Sequence, residues 1–97
     1  MLKVKELRFE WDPEKDDYNQ YEHGVSFEEA KQAFYDAKRI IALDHDHSTA
    51  AETRYYCFGK AARGIMTVRF THRGDKIRII GAGYWREGRS AYEEENI

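Results

Sequence analysis

The spacing of apolar and polar positions changes twice along the chain. Residues 2–11 alternate, with Val4, Leu7, Phe9 and Trp11 as the apolar members, which predicts a strand. From Asp12 onward the spacing becomes helical. Asp12-Pro13 marks a helix start, because Asp accepts from the first free amides and Pro at the first helical position loses no bond it needs. This helix is predicted to run to about His23 and to stop at Gly24, which tolerates the left-handed conformation. Ser26-Phe27-Glu28-Glu29 has the form of a capping box, with Ser26 accepting from the Glu29 amide and Glu29 reaching back. A second helix follows to about Tyr35, with Phe27, Ala30, Ala33 and Phe34 as its apolar stripe.

Past Asp36 the period becomes two. Strands are predicted over 39–44, 53–59, 64–71 and 76–82, and the short turns at 60–63 and 72–75 join the later ones as an antiparallel meander. Residues 84–96 read as a last helix, weakened by Gly88. The order β-α-α-β-β-β-β-α predicts an α+β fold: a four- to five-stranded antiparallel sheet packed by two N-terminal helices and a C-terminal helix. A length of 97 residues predicts one domain, 1–97.

Composition narrows the setting. A hydrophobic fraction of 41% supports a packed core and argues against disorder. No run of about 18 apolar residues is present, so no membrane span is expected. The charged start Met-Leu-Lys-Val-Lys-Glu-Leu is unlike a signal peptide, and the single Cys57 excludes an internal disulfide. These features predict a cytoplasmic protein. The net charge of -2 is unusual for a nucleic-acid binder, yet the stretch from Arg54 to Arg89 holds nine basic residues against only Asp75 and Glu87. Two readings follow: a local anion site, or charges that mix and cancel on the folded surface.

The run Phe9-Glu10-Trp11-Asp12-Pro13-Glu14-Lys15, then Asn19, then His23-Gly24-Val25-Ser26-Phe27-Glu28-Glu29-Ala30 resembles the signature of the BrnT family. Asp44, His47-Ser48, Glu52, Arg54, the strand Arg78-Ile79-Ile80, Ala82 and Tyr92-Glu93 fall where that family places similar residues. The resemblance implies a RelE-like fold and a ribonuclease toxin of a type II toxin–antitoxin system that inhibits translation. It also implies neutralisation by a BrnA-like ribbon–helix–helix antitoxin, with operator DNA bound indirectly through that antitoxin. The segment Gly81-Ala82-Gly83-Tyr84-Trp85 departs from the family, with Gly83 where many members carry Arg, and Glu22 stands where Lys is frequent. The chain therefore resembles a variant branch.

Metal-independent RNA cleavage needs a base for the 2′-hydroxyl proton, cations for the charge growing on phosphate, and an acid for the 5′-oxygen. No cofactor or metal is expected. Strand alternation places Arg69 and Arg78 on the face opposite Val68 and Ile79, with Arg54 joining them beside Tyr56 and Phe58. Arg86 and Arg89, three apart, share a face of the last helix. Together they predict an arginine-lined phosphate site between sheet and final helix. The alternative is surface arginines paired with Glu52, Asp75 or the Glu93-Glu94-Glu95 tail. Lys15, Asn19 and His23 recur every four residues. His23 is a candidate acid or base and Lys15 a candidate phosphate clamp, whereas Asn19 reads as a loop tie.

The candidate catalytic residues are thus His23, Arg78 and Arg86. Lys15, Arg54, Arg69, Tyr84, Trp85 and Arg89 are candidate RNA contacts, with Tyr84 and Trp85 available for stacking or for anchoring the last helix. Asp44-His45-Asp46-His47 contains metal-ligand types, but four consecutive residues without a distant partner read as a solvated turn. Cys57, between Tyr56 and Phe58, reads as packing. The competing function is a non-catalytic interaction protein that acts in an antitoxin/operator-DNA repressor complex.

Overall fold

A computed structural model describes residues 6–97, so the part of the first predicted strand that includes Val4 lies outside the described residues. Its elements are β1 (Phe9–Glu10), α1 (Pro13–His23), α2 (Phe27–Ala30), a 3₁₀ turn (Lys31–Tyr35), β2 (Ile40–Leu43), β3 (Arg54–Ala61), β4 (Gly64–Arg73), β5 (Lys76–Gly83) and α3 (Arg86–Glu95). The sheet order is β1-β5-β4-β3-β2. The strands from β2 to β5 form the antiparallel meander, and β1 pairs parallel to β5 through Phe9 with Ile77 and Glu10 with Arg78. The α+β architecture stands, and the sheet is mixed at that one edge.

Local sequence explains most element boundaries. The Asp12 carboxylate accepts from the Glu14 amide at 2.9 Å, and Gly24 ends α1 at φ +66°, donating its N–H to the Gln20 carbonyl. Ser26 Oγ accepts from the Glu29 amide at 3.0 Å. The return half of the capping box is not made, because the Glu29 carboxylate is taken by Arg63 and Tyr84. The second helix is α-helical for only four residues before it tightens into the 3₁₀ turn. The first strand is shorter than predicted: Leu7 and Trp11 pack on the core without joining the ladder.

One face of the sheet is covered by α2 and the 3₁₀ turn. There Val25, Phe27, Ala30, Ala33 and Phe34 meet Cys57, Met66, Val68, Phe70, Ile77, Ile79 and Ala82, all buried. Phe27 is fully enclosed, and its truncation to Ala costs about 3–5 kcal/mol. Helix α3 covers part of the opposite face, against β3 and β4. Gly88 is the contact: a Cβ there would overlap Thr67 Oγ1 and crowd Phe58 at 2.9 Å. The glycine that weakens the helix in isolation thus lets it lie close on the sheet.

Candidate active site

Register decides which side chains share the α3 face. Tyr56 pairs with Arg69, Phe58 with Thr67, and Arg54 with Thr71, which in turn pairs with Arg78. A register shift between Arg69 and Phe70 sets Gly81 opposite Arg69 and leaves Ile80 unpaired. Arg54, Arg69 and Arg78 therefore do project from one face, as the alternation predicts, but they end in different places.

Arg78 is held by Glu10 at 2.7 Å, across the parallel β1–β5 pair. Arg54 is held by Glu52 at 2.8 Å. The Arg54 hydrogen bond, aided by the charges of Arg73 and Lys15, keeps the Glu52 carboxyl below the usual carboxylate range. Arg54 and, at 4.0 Å, Arg73 are the guanidinium partners of Glu52. Arg69 pairs with no carboxylate among the described residues. Its guanidinium lies over Gly81, where a Cβ would stand 2.9 Å from the nearer terminal nitrogen.

Arg69 opens into a cleft of about 510 Å³ floored by Tyr56, Phe58 and Thr67. His23 enters from the end of α1, His47 from the β2–β3 loop, and Trp85, Glu87 and Gly88 from the start of α3. The Trp85 indole meets the His23 ring edge-on, with centroids 5.1 Å apart. It also lies against Gly83, where any Cβ would overlap it. Gly81 and Gly83 therefore serve as beds for the Arg69 and Trp85 side chains.

The segment carrying His47 is a turn with His45, Asp46 and His47 exposed, as expected, and the exception is its first residue. Asp44 is 1% exposed. Its carboxylate accepts from the His47 amide at 3.2 Å and from Nδ1 of the same imidazole at 2.8 Å. A carboxylate can only accept, so Nδ1 donates that bond, and in the neutral imidazole the lone pair lies on Nε2. His47 lines the cleft and its side chain is 47% exposed. Burial first, and then the negative charge of Asp44, push the Tyr56 phenol up, which keeps it a neutral hydrogen-bond donor. Sequence reading missed this dyad because all four residues of Asp44-His45-Asp46-His47 look alike. The available signal was the Asp-x-x-His spacing, which lets an Asp side chain reach back to the amide three residues on.

Asn19 sits behind the cleft as a strut. It donates to the carbonyls of Val25 (2.8 Å) and Ala82 (2.9 Å) and accepts from the Ala82 amide at 3.1 Å, fixing α1 to β5. Beyond Trp85 lies a second, smaller pocket of about 170 Å³, formed by Tyr84, Arg86 and Arg89 with Arg63 from the β3–β4 turn. Arg63 binds Glu29 through two nitrogens and holds its carboxyl below the usual range. The Tyr84 hydroxyl donates to the same carboxylate at 2.5 Å. Among the predicted site residues, the structure thus brings His23, Arg69 and Trp85 together. It places Tyr84, Arg86 and Arg89 next door, and Lys15, Arg54 and Arg78 elsewhere.

Among the described residues, no group of three or more His, Cys, Asp or Glu side chains is arranged to hold a metal ion. No helix there is long and apolar enough to cross a membrane.

Comparison with known proteins bears on the fold and the family. The crystal structure of the ribonuclease toxin BrnT of Brucella abortus, determined at 1.1 Å, superposes with a TM-score of 0.57 over 80% of this chain and 95% of that one. At 18% identity this similarity speaks for the fold. No curated protein sequence matches the chain. Residues 11–88 match the family model described as the ribonuclease toxin BrnT of type II toxin–antitoxin systems, and the chain belongs to that family.

Proposed function

We propose that the chain is an endoribonuclease that cleaves RNA without a metal, at the cleft between α1, the sheet and α3. The observation that carries this reading is the Asp44–His47 pair, which fixes the tautomer of an imidazole facing Arg69. One histidine takes the proton of the 2′-hydroxyl. The 2′-oxygen attacks the adjacent phosphorus, the bond from phosphorus to the 5′-oxygen breaks, and the second imidazole protonates that oxygen. A 2′,3′-cyclic phosphate and a 5′-hydroxyl result. His47 and His23 fill the two proton-transfer roles. Arg69 grips the phosphate oxygens as charge grows on them, with the neutral Tyr56 phenol as a further donor. Glu87 repels phosphate from the α3 rim and so favours the Arg69 side of the cleft.

In this reading Arg78 ties the β1 edge to β5 through Glu10 and Arg54 holds Glu52 at the end of the β2–β3 loop, while Arg86, Arg89 and Tyr84 act beyond the scissile phosphate. The family brings with it an antitoxin partner and an RNA target. We propose that the antitoxin is BrnA-like and of the ribbon–helix–helix type, that it binds operator DNA, and that the toxin inhibits translation in the cytoplasm. The resemblance of the Trp11–Ala30 block supports that part.

The test is cleavage of a single-stranded RNA by purified protein in excess chelator, with product ends identified. Cyclic phosphate ends and a loss of about 10²–10⁴-fold in His47→Ala are expected. Activity abolished by the chelator, or an undiminished His47→Ala variant, would overturn the mechanism. A folded chain that binds its antitoxin yet cleaves nothing would establish the non-catalytic alternative.

A further inference from the structure

Trp85 lines both pockets: the cleft of about 510 Å³ on one side and the arginine pocket of about 170 Å³ on the other. A substrate lying across its indole meets two separate cationic sites. The arginine pocket keeps an excess of positive charge. Arg63 is neutralised by Glu29 at 2.9 Å, and Arg89 has only a loose partner in Glu93 at 3.7 Å, with both of those side chains well exposed. Arg86 pairs with no carboxylate among the described residues. The pocket volume corresponds to about six water molecules at about 30 Å³ each, which suits a phosphate with its bridging waters. Tyr84 is fixed by Glu29, and the Arg63 guanidinium lies 4.9 Å from its ring centre, so this wall is preorganised.

We infer that this pocket binds the phosphate next to the scissile one, so that a single-stranded RNA crosses Trp85 with one phosphate at Arg69 and its neighbour at Arg86 and Arg89. The inference rests on the ribonuclease reading of the cleft. Two phosphates on either side of an aromatic ring require the intervening base to leave its stack, and a paired duplex does not offer this geometry. The pocket thus selects unpaired RNA by chain geometry, independently of base identity.

The test compares three substrates: an RNA dinucleoside monophosphate, the same molecule with a 5′-terminal phosphate, and the same with a 3′-terminal phosphate. In the native chain, one of the two added phosphates should raise kcat/KM about tenfold, the worth of one charge-assisted contact. In the Arg86→Ala/Arg89→Ala variant that ratio should fall to near one. Both side chains are exposed, and circular dichroism confirms that the variant folds. A ratio that stays near ten in the variant, or that is near one already in the native chain, overturns the subsite. If the native chain cleaves none of the three, the ribonuclease reading fails instead. Calorimetric binding of the 2′-deoxy forms then decides the subsite alone: affinity gained from the terminal phosphate and lost in the variant supports it, and equal affinities overturn it.

Discussion

Nδ1 of His47 lies 2.8 Å from Oδ2 of Asp44, and that carboxylate is closed to solvent. The pair gives the neutral His47 imidazole a defined tautomer. Asp44→Asn keeps the volume but offers an amide that can turn a donor toward Nδ1, which favours the wrong tautomer. Cleavage is expected to fall roughly 10²–10⁴-fold. KM should change little, and a matching rise in KM with constant kcat would point to substrate binding instead.

Arg69 and Arg78 share a face but not a situation. Arg69→Ala should lower cleavage about 10²–10³-fold with little change in unfolding free energy. Arg78→Ala leaves the Glu10 carboxylate without its 2.7 Å partner. That variant should lose about 1 kcal/mol in denaturant unfolding, and its stability loss should exceed its catalytic loss. Measuring both quantities on both variants separates the assignments. Equal catalytic losses would return Arg78 to the site.

Asn19 donates two hydrogen bonds to carbonyls and accepts one from an amide, all buried. Asn19→Asp faces the Val25 and Ala82 carbonyls with an acceptor. A loss of about 2–4 kcal/mol is expected from two unmade bonds and a poorly solvated charge. Thermal unfolding checks this, and a shift below about 1 kcal/mol would show that α1 is held by other contacts.

The contact between Tyr92 and Asp36 predicts a pH dependence at both ends. Burial raises the Asp36 carboxyl, but hydrogen bonds from Tyr92 Oη at 2.6 Å and from the Lys38 and Lys60 amides outweigh it and hold the group below its ordinary value. Its folded value is depressed, so its stabilisation is present above about pH 4 and is lost as pH falls through the folded value. The Tyr92 phenol is pushed up to about 12, chiefly by the same bond. Its contribution is complete below about pH 10 and disappears as pH rises toward 12. Tyr92→Phe should cost about 1 kcal/mol at pH 7 and flatten the alkaline limb. An unchanged alkaline limb in that variant would assign the effect to another group.

Burial pushes the Cys57 thiol up to about 12, and its Sγ lies 3.7 Å from the Ala33 carbonyl. Native protein should therefore resist alkylation at neutral pH, with labelling at a rate that tracks unfolding. Fast labelling in the absence of denaturant would contradict the packing of the 3₁₀ turn on β3.

The features legible in the sequence are those carried by neighbours along the chain. Asp12, Gly24 and Ser26 act on amides or carbonyls a few residues away, and the alternation in β3, β4 and β5 reports one buried face. The arginine pattern also gave the correct face. It did not show which guanidinium stays free, because Glu10 reaches Arg78 only through a pairing 68 residues apart. The unpaired Ile80 was equally hidden, since a bulge depends on the partner strand. The burial of Asp44 depends on how the β2–β3 loop folds back, and composition alone makes that loop look exposed. Gly83 looked like a missing cation, and its role became visible only with the Trp85 ring laid against it.

The parallel pairing of Phe9–Glu10 with Ile77–Arg78 has a consequence for how the protein is born. The first strand emerges early from a ribosome but has nothing to bind until β5 follows. His23 likewise waits for Trp85, and the cleft for α3. The cleft proposed as the active site is therefore complete only after both β5 and α3 have been made, and no cleavage at it is expected from a chain that stops short of them.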